Sequence, residues 1–130
     1  IVLKTGILNP AINSLLSRVR HTNTLVIADR GFPYWPQIET IDISLVDDIP
    51  QVFDVLKAIL PCFVVGRAVM AEEFRSPENR TALQRYTEIL DGVELTFEPH
   101  TDFKKRVPQT IGLIRTGDST QYANVILESA

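Results

Sequence analysis

Apolar residues recur along this chain at two alternating spacings, one helical and one extended. After Asn9 and Pro10, which suit an N-cap and a first helical position, Ile12, Leu15, Leu16 and Val19 follow helical spacing. Leu25 to Ala28 is a short apolar strand that ends at Asp29, Arg30 and Gly31. Pro33 and Pro36 hold the next stretch, with Tyr34 and Trp35, in a loop before a second strand at Ile41 to Leu45. Asp48 is positioned to cap a helix burying Val52, Phe53, Leu56, Ile59 and Leu60, which stops near Pro61. Phe63 to Ala71 is the most apolar strand, interrupted by Gly66 and Arg67. Ser76 and Pro77 start a helix that runs to about Leu90, with Asp91 and Gly92 as its terminator. A strand at Val93 to Phe97, a short helix at Thr101 to Val107, and strands at Ile111 to Arg115 and Val125 to Leu127 complete the chain.

This alternation predicts an α/β fold over residues 1–130, a single three-layer domain with a central, largely parallel sheet flanked by helices. Ligands of such sheets bind beyond the carboxyl ends of the strands. That rule collects Asp29 after the first strand, Glu72 and Glu73 after the third, His100 after the Val93 to Phe97 strand, and Thr116 to Asp118 after the fifth.

Composition narrows the function classes. Hydrophobic residues make up 45% and charged residues 22% of 130 residues, an ordinary balance for a soluble protein. A net charge of −3 with dispersed basic residues argues against nucleic acid as a partner, since phosphates need a basic face. The Lys104 to Arg106 triplet reads as a helix C-terminus or a solvated face. Cys62 is the single cysteine, which rules out an intrachain disulfide and a metal site built on cysteine spacing. No apolar run approaches the roughly 20 residues that span a bilayer, and the first residues lack a signal-peptide layout. A cytoplasmic protein without membrane association is the expectation, and Ile1 in place of an initiator Met suggests trimming.

Candidate chemistry concentrates in Arg115 to Leu127, RTGDSTQYANVIL. Its apolar end fixes the backbone, so that Tyr122 and Asn124 present a phenol and an amide from a rigid platform. Both groups donate and accept hydrogen bonds, which suits a sugar-like ligand. The plainer alternative is a loop followed by a C-terminal edge strand. His21 reads either as a histidine at a helix C-terminus or as a general acid or base. His100 could start a helix, and two histidines so far apart make a poor zinc motif. Glu72 and Glu73 would point to opposite faces of a strand, leaving one of them structural. Tyr34 and Trp35 could stack on a sugar or plug an interface. No Gly-rich phosphate loop and no hydrolase serine elbow is present.

The segments KTGILNPAI, RVRHTNTLVIADRGFP, IDISL, IPQVFDVL, AVMAEE, PHTDFK and RTGDSTQYANVIL follow one another in order. Together they resemble the D-ribose pyranase and fucose mutarotase family nearly end to end, and the ribose pyranase branch most closely. The resemblance implies an isomerase that interconverts the pyranose and furanose forms of ribose by acid–base ring opening and reclosure. It implies catalytic roles for His21 and Tyr122, and sugar-binding roles for Asp29, His100, Lys104 and Asn124. It further implies no metal, no organic cofactor, and a ring-shaped homo-oligomer, often a decamer, whose pocket a neighbouring subunit completes. Fucose mutarotation and a non-catalytic sugar-binding role in a transport system are the alternatives. An apolar wall near Phe32 or Trp35 would favour the first of these. Some positions depart from the family pattern. Arg30 stands where a small residue is common, the GFPYWPQ loop carries extra aromatic bulk, Asp48 replaces a frequent glycine, and the chain stops at Ala130.

Overall fold

The computed structural model describes residues 2–4 and 6–130; Ile1, and Thr5 of the KTGILNPAI segment, lie outside the described residues. Among the described residues six strands and four α-helices follow the order α1 (Pro10–Ser17), β1 (Thr24–Ala28), β2 (Glu39–Asp42), α2 (Val52–Ile59), β3 (Val65–Ala71), α3 (Arg80–Ile89), β4 (Glu94–Glu98), α4 (His100–Arg106), β5 (Gly112–Arg115), β6 (Val125–Ser129). The sheet order is β2-β5-β1-β6-β3-β4. The pairs β2–β5, β5–β1 and β3–β4 are parallel, whereas β6 is antiparallel to both β1 and β3. Five strands therefore share one direction, and the sheet is largely parallel as expected.

The strand pleat divides the core into two layers. Leu25 and Ile27 of β1 pack with Leu15, Leu56, Ile59, Tyr86, Val125 and Leu127, on the side of α1, α2 and α3. Val26 and Ala28 face the other way, onto Phe103 and Val107 at α4. Phe103 is fully buried. Its removal to Ala would cost about 3–5 kcal/mol and unseat the helix that carries His100.

Local signals explain most element ends. The Asn9 side chain accepts the Ile12 N–H at 3.0 Å, with Pro10 opening α1. Gly92 takes φ 82, a left-handed backbone that releases the chain from α3 into β4. The Lys104 to Arg106 triplet does form the last turn of α4. Asp48 does not cap α2. Gln51 does so, in a capping box with Asp54, while Asp48 sits at φ 65 and accepts hydrogen bonds from Ser119. β6 is no edge strand either: it lies in the middle of the sheet, where Val125, Ile126 and Leu127 are buried on both faces. No helix among the described residues is long and apolar enough to cross a membrane.

Candidate functional site

Because five strands run one way, their carboxyl ends share one edge of the sheet, and β6 begins at that edge. A cavity of about 330 Å³ opens there, lined by Asp29, Phe32, His100, Asp118, Tyr122 and Asn124, with Arg30, Gly31, Pro33, Ser119 and Gln121 at its margin. The volume suits a single small ligand. Of the residues expected from sequence, Asp29, His100, Tyr122 and Asn124 meet in this cavity.

Asp29 directly follows β1 and is 8% exposed. Its backbone N–H donates to Asn124 Oδ1 at 2.7 Å, and its Oδ1 accepts the Gly31 N–H at 3.0 Å. Burial pushes its carboxyl above the usual carboxylate value of 3.8, and the charge of Asp118 adds to the effect. The Gly31 and Phe32 N–H groups and the Asn124 side chain oppose the rise. A buried carboxylate so held has lone pairs left over to accept hydrogen bonds from a hydroxyl-rich ligand.

His100 opens α4, where Glu73 accepts its backbone N–H at 2.9 Å. Its ring stacks on Phe103 at 6.0 Å and meets the Tyr122 ring edge-to-face at 5.0 Å. Burial and the nearby Lys104 ammonium hold the imidazole below its usual 6.5, against the pull of Glu73 and Asp29. The ring is therefore neutral at neutral pH, and its Nδ1 is buried without a hydrogen-bond partner. A neutral imidazole with one unused nitrogen beside a cavity is equipped to bind or relay a hydroxyl proton. Lys104 follows one helical turn after His100 on the same face of α4, outside the cavity lining.

Tyr122 has φ 64, a left-handed conformation that costs a residue with a Cβ of order 1–3 kcal/mol. Such strain persists where surrounding contacts enforce it. Here the fully buried Ala123 and the buried Asn124 anchor the chain between Tyr122 and β6, which begins three residues later.

The structure does not bring His21 to this cavity. His21 is exposed in the turn before β1, at the opposite edge of the sheet, and β1 alone spans about 16 Å at roughly 3.3 Å per residue. Neither acidic residue after β3 lines it. Glu72 and Glu73 occupy a short 3-10 turn, not a strand; Glu72 pairs with Arg75, and Glu73 holds the start of α4. Tyr34 and Trp35 also stay outside: Tyr34 is exposed, and Trp35 leans on Phe32 with ring centroids 6.2 Å apart. Phe32 is the apolar wall of the cavity. Asp118 is the residue that reasoning from sequence underrated, although its place after β5 was the available signal. Among the described residues no group of three His, Cys, Asp or Glu side chains could hold a metal ion.

Comparison with known proteins gives the family and the fold. The model of the RbsD / FucU transport protein family matches residues 2–130. A D-ribose pyranase of Geobacillus kaustophilus is 40% identical over 126 residues, covering 97% of this chain and 92% of that protein. A D-ribose pyranase of Laribacter hongkongensis is 39% identical, covering 97% and 95%. Among solved structures, Bacillus subtilis RbsD complexed with D-ribose matches with a TM-score of 0.93 at 29% identity, covering 99% of this chain and 98% of that one. A fucose mutarotase in complex with L-fucose from Streptococcus pneumoniae shares the fold, with a TM-score of 0.81 at 18% identity over 99% and 96%.

Proposed function

The chain belongs to the RbsD / FucU transport protein family, and from that membership we propose that it is an isomerase interconverting the pyranose and furanose forms of D-ribose. The observation that carries the proposal is the meeting of Asp29, His100, Tyr122 and Asn124 in one cavity of monosaccharide size. Full-length similarity to D-ribose pyranases supports ribose as the sugar.

The reaction opens the hemiacetal to the free aldehyde and recloses it through a different hydroxyl. One group takes the proton of the anomeric hydroxyl while another protonates the ring oxygen. No C–H bond breaks, so the chemistry requires neither a redox cofactor nor a strong base. Positioned acid–base groups each contribute about 10²- to 10⁴-fold. We assign proton transfer to Tyr122 and His21. Asp29, His100 and Asn124 hold the remaining hydroxyls so that the reacting oxygens stay aligned, with Lys104 reaching toward them from its place one helical turn beyond His100. The exposure of His21, remote from its own protomer's cavity, supports a shared site: His21 serves the cavity of a neighbouring subunit. A ring-shaped homo-oligomer, in the simplest case a decamer, provides that neighbour. We assign the enzyme to the cytoplasm; the reducing conditions there suit the exposed free thiol of Cys62.

Phe32 favours a second reading, because an apolar wall in the cavity accommodates the methyl group of fucose. Magnetisation-transfer NMR on equilibrated D-ribose, with L-fucose in parallel, separates the two. Enhanced exchange between ribose β-pyranose and β-furanose signals is expected. Enhancement with fucose alone transfers the chain to mutarotation, and silence with both sugars overturns the enzyme reading.

A further inference from the structure

Asp118 lines the cavity, yet its carboxylate is committed elsewhere. The residue is 3% exposed. One oxygen, Oδ2, accepts the N–H of Val52, the first residue of α2, at 3.0 Å. The other, Oδ1, accepts the Thr120 N–H at 2.9 Å. The Asp118 N–H donates to Thr116 Oγ1 at 3.1 Å, and that hydroxyl donates to the Ala28 carbonyl at 2.8 Å. The Asp118 carbonyl accepts the Arg30 N–H at 2.9 Å. One residue thus ties together both flanks of Asp29, the start of α2, and the turn that leads into Tyr122.

We propose that Asp118 is the positioning residue of the sugar site. Its buried carboxylate, shared between the Val52 and Thr120 N–H groups, sets the turn that presents Tyr122, in its left-handed conformation, to His100. The proposal rests on the ring-opening reading of the cavity. We assign Asp118 no proton transfer: each of its oxygens already accepts a backbone N–H, and its effect runs through Tyr122 and Asp29.

The same carboxylate acts on Asp29 by charge. Its like charge joins burial in raising the pH at which Asp29 ionises. The other titratable and charged groups around Asp29 are Arg30 on its own loop, Arg115 at the end of β5, Tyr122, and His100 with Lys104 behind it on α4. From α3, Tyr86 and Arg85 border the small cavity on the far side of Asp118. Neutralising residue 118 therefore moves the ionisation of Asp29 toward lower pH.

The test compares ribose exchange kinetics across the acid range for wild type, Asp118→Asn and Asp118→Glu, with a thermal melt of each. Asp118→Asn turns an amide N–H₂ toward one of the two backbone donors. Its kcat is expected to fall about tenfold or more, the loss of roughly one buried hydrogen bond. KM should change far less, and the acid limb of the pH profile should move to lower pH. Asp118→Glu keeps the charge on a longer arm, so kcat should fall while the acid limb stays in place. If Asp118→Asn does not fold, Asp118→Glu decides alone: a reduced kcat supports the assignment and a wild-type kcat overturns it. Loss confined to melting temperature, a raised KM at wild-type kcat, or an unmoved acid limb in Asp118→Asn also overturns it. A wild-type protein silent on ribose brings down the ring-opening reading itself, a result distinct from an active wild type with unaffected variants.

Discussion

The side-chain oxygen of Asn124 accepts a hydrogen bond from the backbone N–H of Asp29 at 2.7 Å, across 95 residues of sequence. Asn124 enters β6, and Asp29 leaves β1, its antiparallel neighbour in the middle of the sheet. The bond therefore joins the two segments that supply the cavity floor, and the rigidity of the sheet becomes the rigidity of the site.

Asn124→Ala removes a buried acceptor and leaves the Asp29 N–H unpaired. The expected cost is about 1–3 kcal/mol of stability, together with a loss of ribose exchange far larger than that destabilisation accounts for. Chemical denaturation and exchange NMR on the same preparation check both. Normal exchange in a merely destabilised protein would remove Asn124 from the site.

The pH response follows from the direction of two shifts. Asp29 is raised above 3.8, so the stability it contributes is present below its unfolded value and lost as pH rises through its folded value. His100 is lowered below 6.5, so its contribution is present above that value and lost as pH falls through its folded value. Exchange should accordingly decline on the acid side, as His100 and Asp29 take up protons. Asp29→Asn should melt higher than wild type at neutral pH while binding ribose more weakly. A lower melting temperature at neutral pH would contradict the burial cost assigned to Asp29.

His21→Ala changes an exposed side chain, so stability should stay within about 0.5 kcal/mol of wild type. Exchange should nonetheless be largely abolished. Mixed and reassembled with inactive Tyr122→Phe subunits, it should regain about a quarter of wild-type activity, as expected for random pairing at shared sites. Absence of any recovery in mixed oligomers would argue that His21 does not act across a subunit boundary.

Gly117→Ala tests the loop behind the cavity. A Cβ at Gly117 would lie 2.3 Å from the Val46 carbonyl oxygen and 3.0 Å from that of Ile49, so backbone must move. The same loop carries Asp48, which holds Ser119 at the cavity margin. The substitution should cost on the order of 1–3 kcal/mol by overpacking and weaken ribose binding, measurable by melting and by titration calorimetry. Wild-type stability would mean that the 43–50 segment yields freely.

Much of this architecture is legible in the sequence where its cause is local. Asn9 and Pro10 mark α1 because capping depends only on neighbours within one turn. Asp48 misleads as a cap since its side chain answers to Ser119, 71 residues away; the Gln51 and Asp54 spacing was the better local sign. Val125 to Leu127 reads as an edge strand because strand order is a non-local property, although three successive apolar residues already imply burial on both faces. The separation of His21 from Asp29 follows from strand geometry alone, since the strand between them puts the two at opposite ends. Asp118 was placed with the site by its position after β5, but its role stayed hidden because its carboxylate contacts Val52, 66 residues back, which no motif announces.

The measurement that bears most directly on the central claim is magnetisation transfer on equilibrated D-ribose with wild-type and Tyr122→Phe proteins side by side, both shown to be folded and of equal size. Ring opening in this cavity predicts exchange between β-pyranose and β-furanose well above the uncatalysed rate with wild type, and near that rate with the variant. Equal exchange in the two proteins would contradict the assignment of ring opening to this cavity.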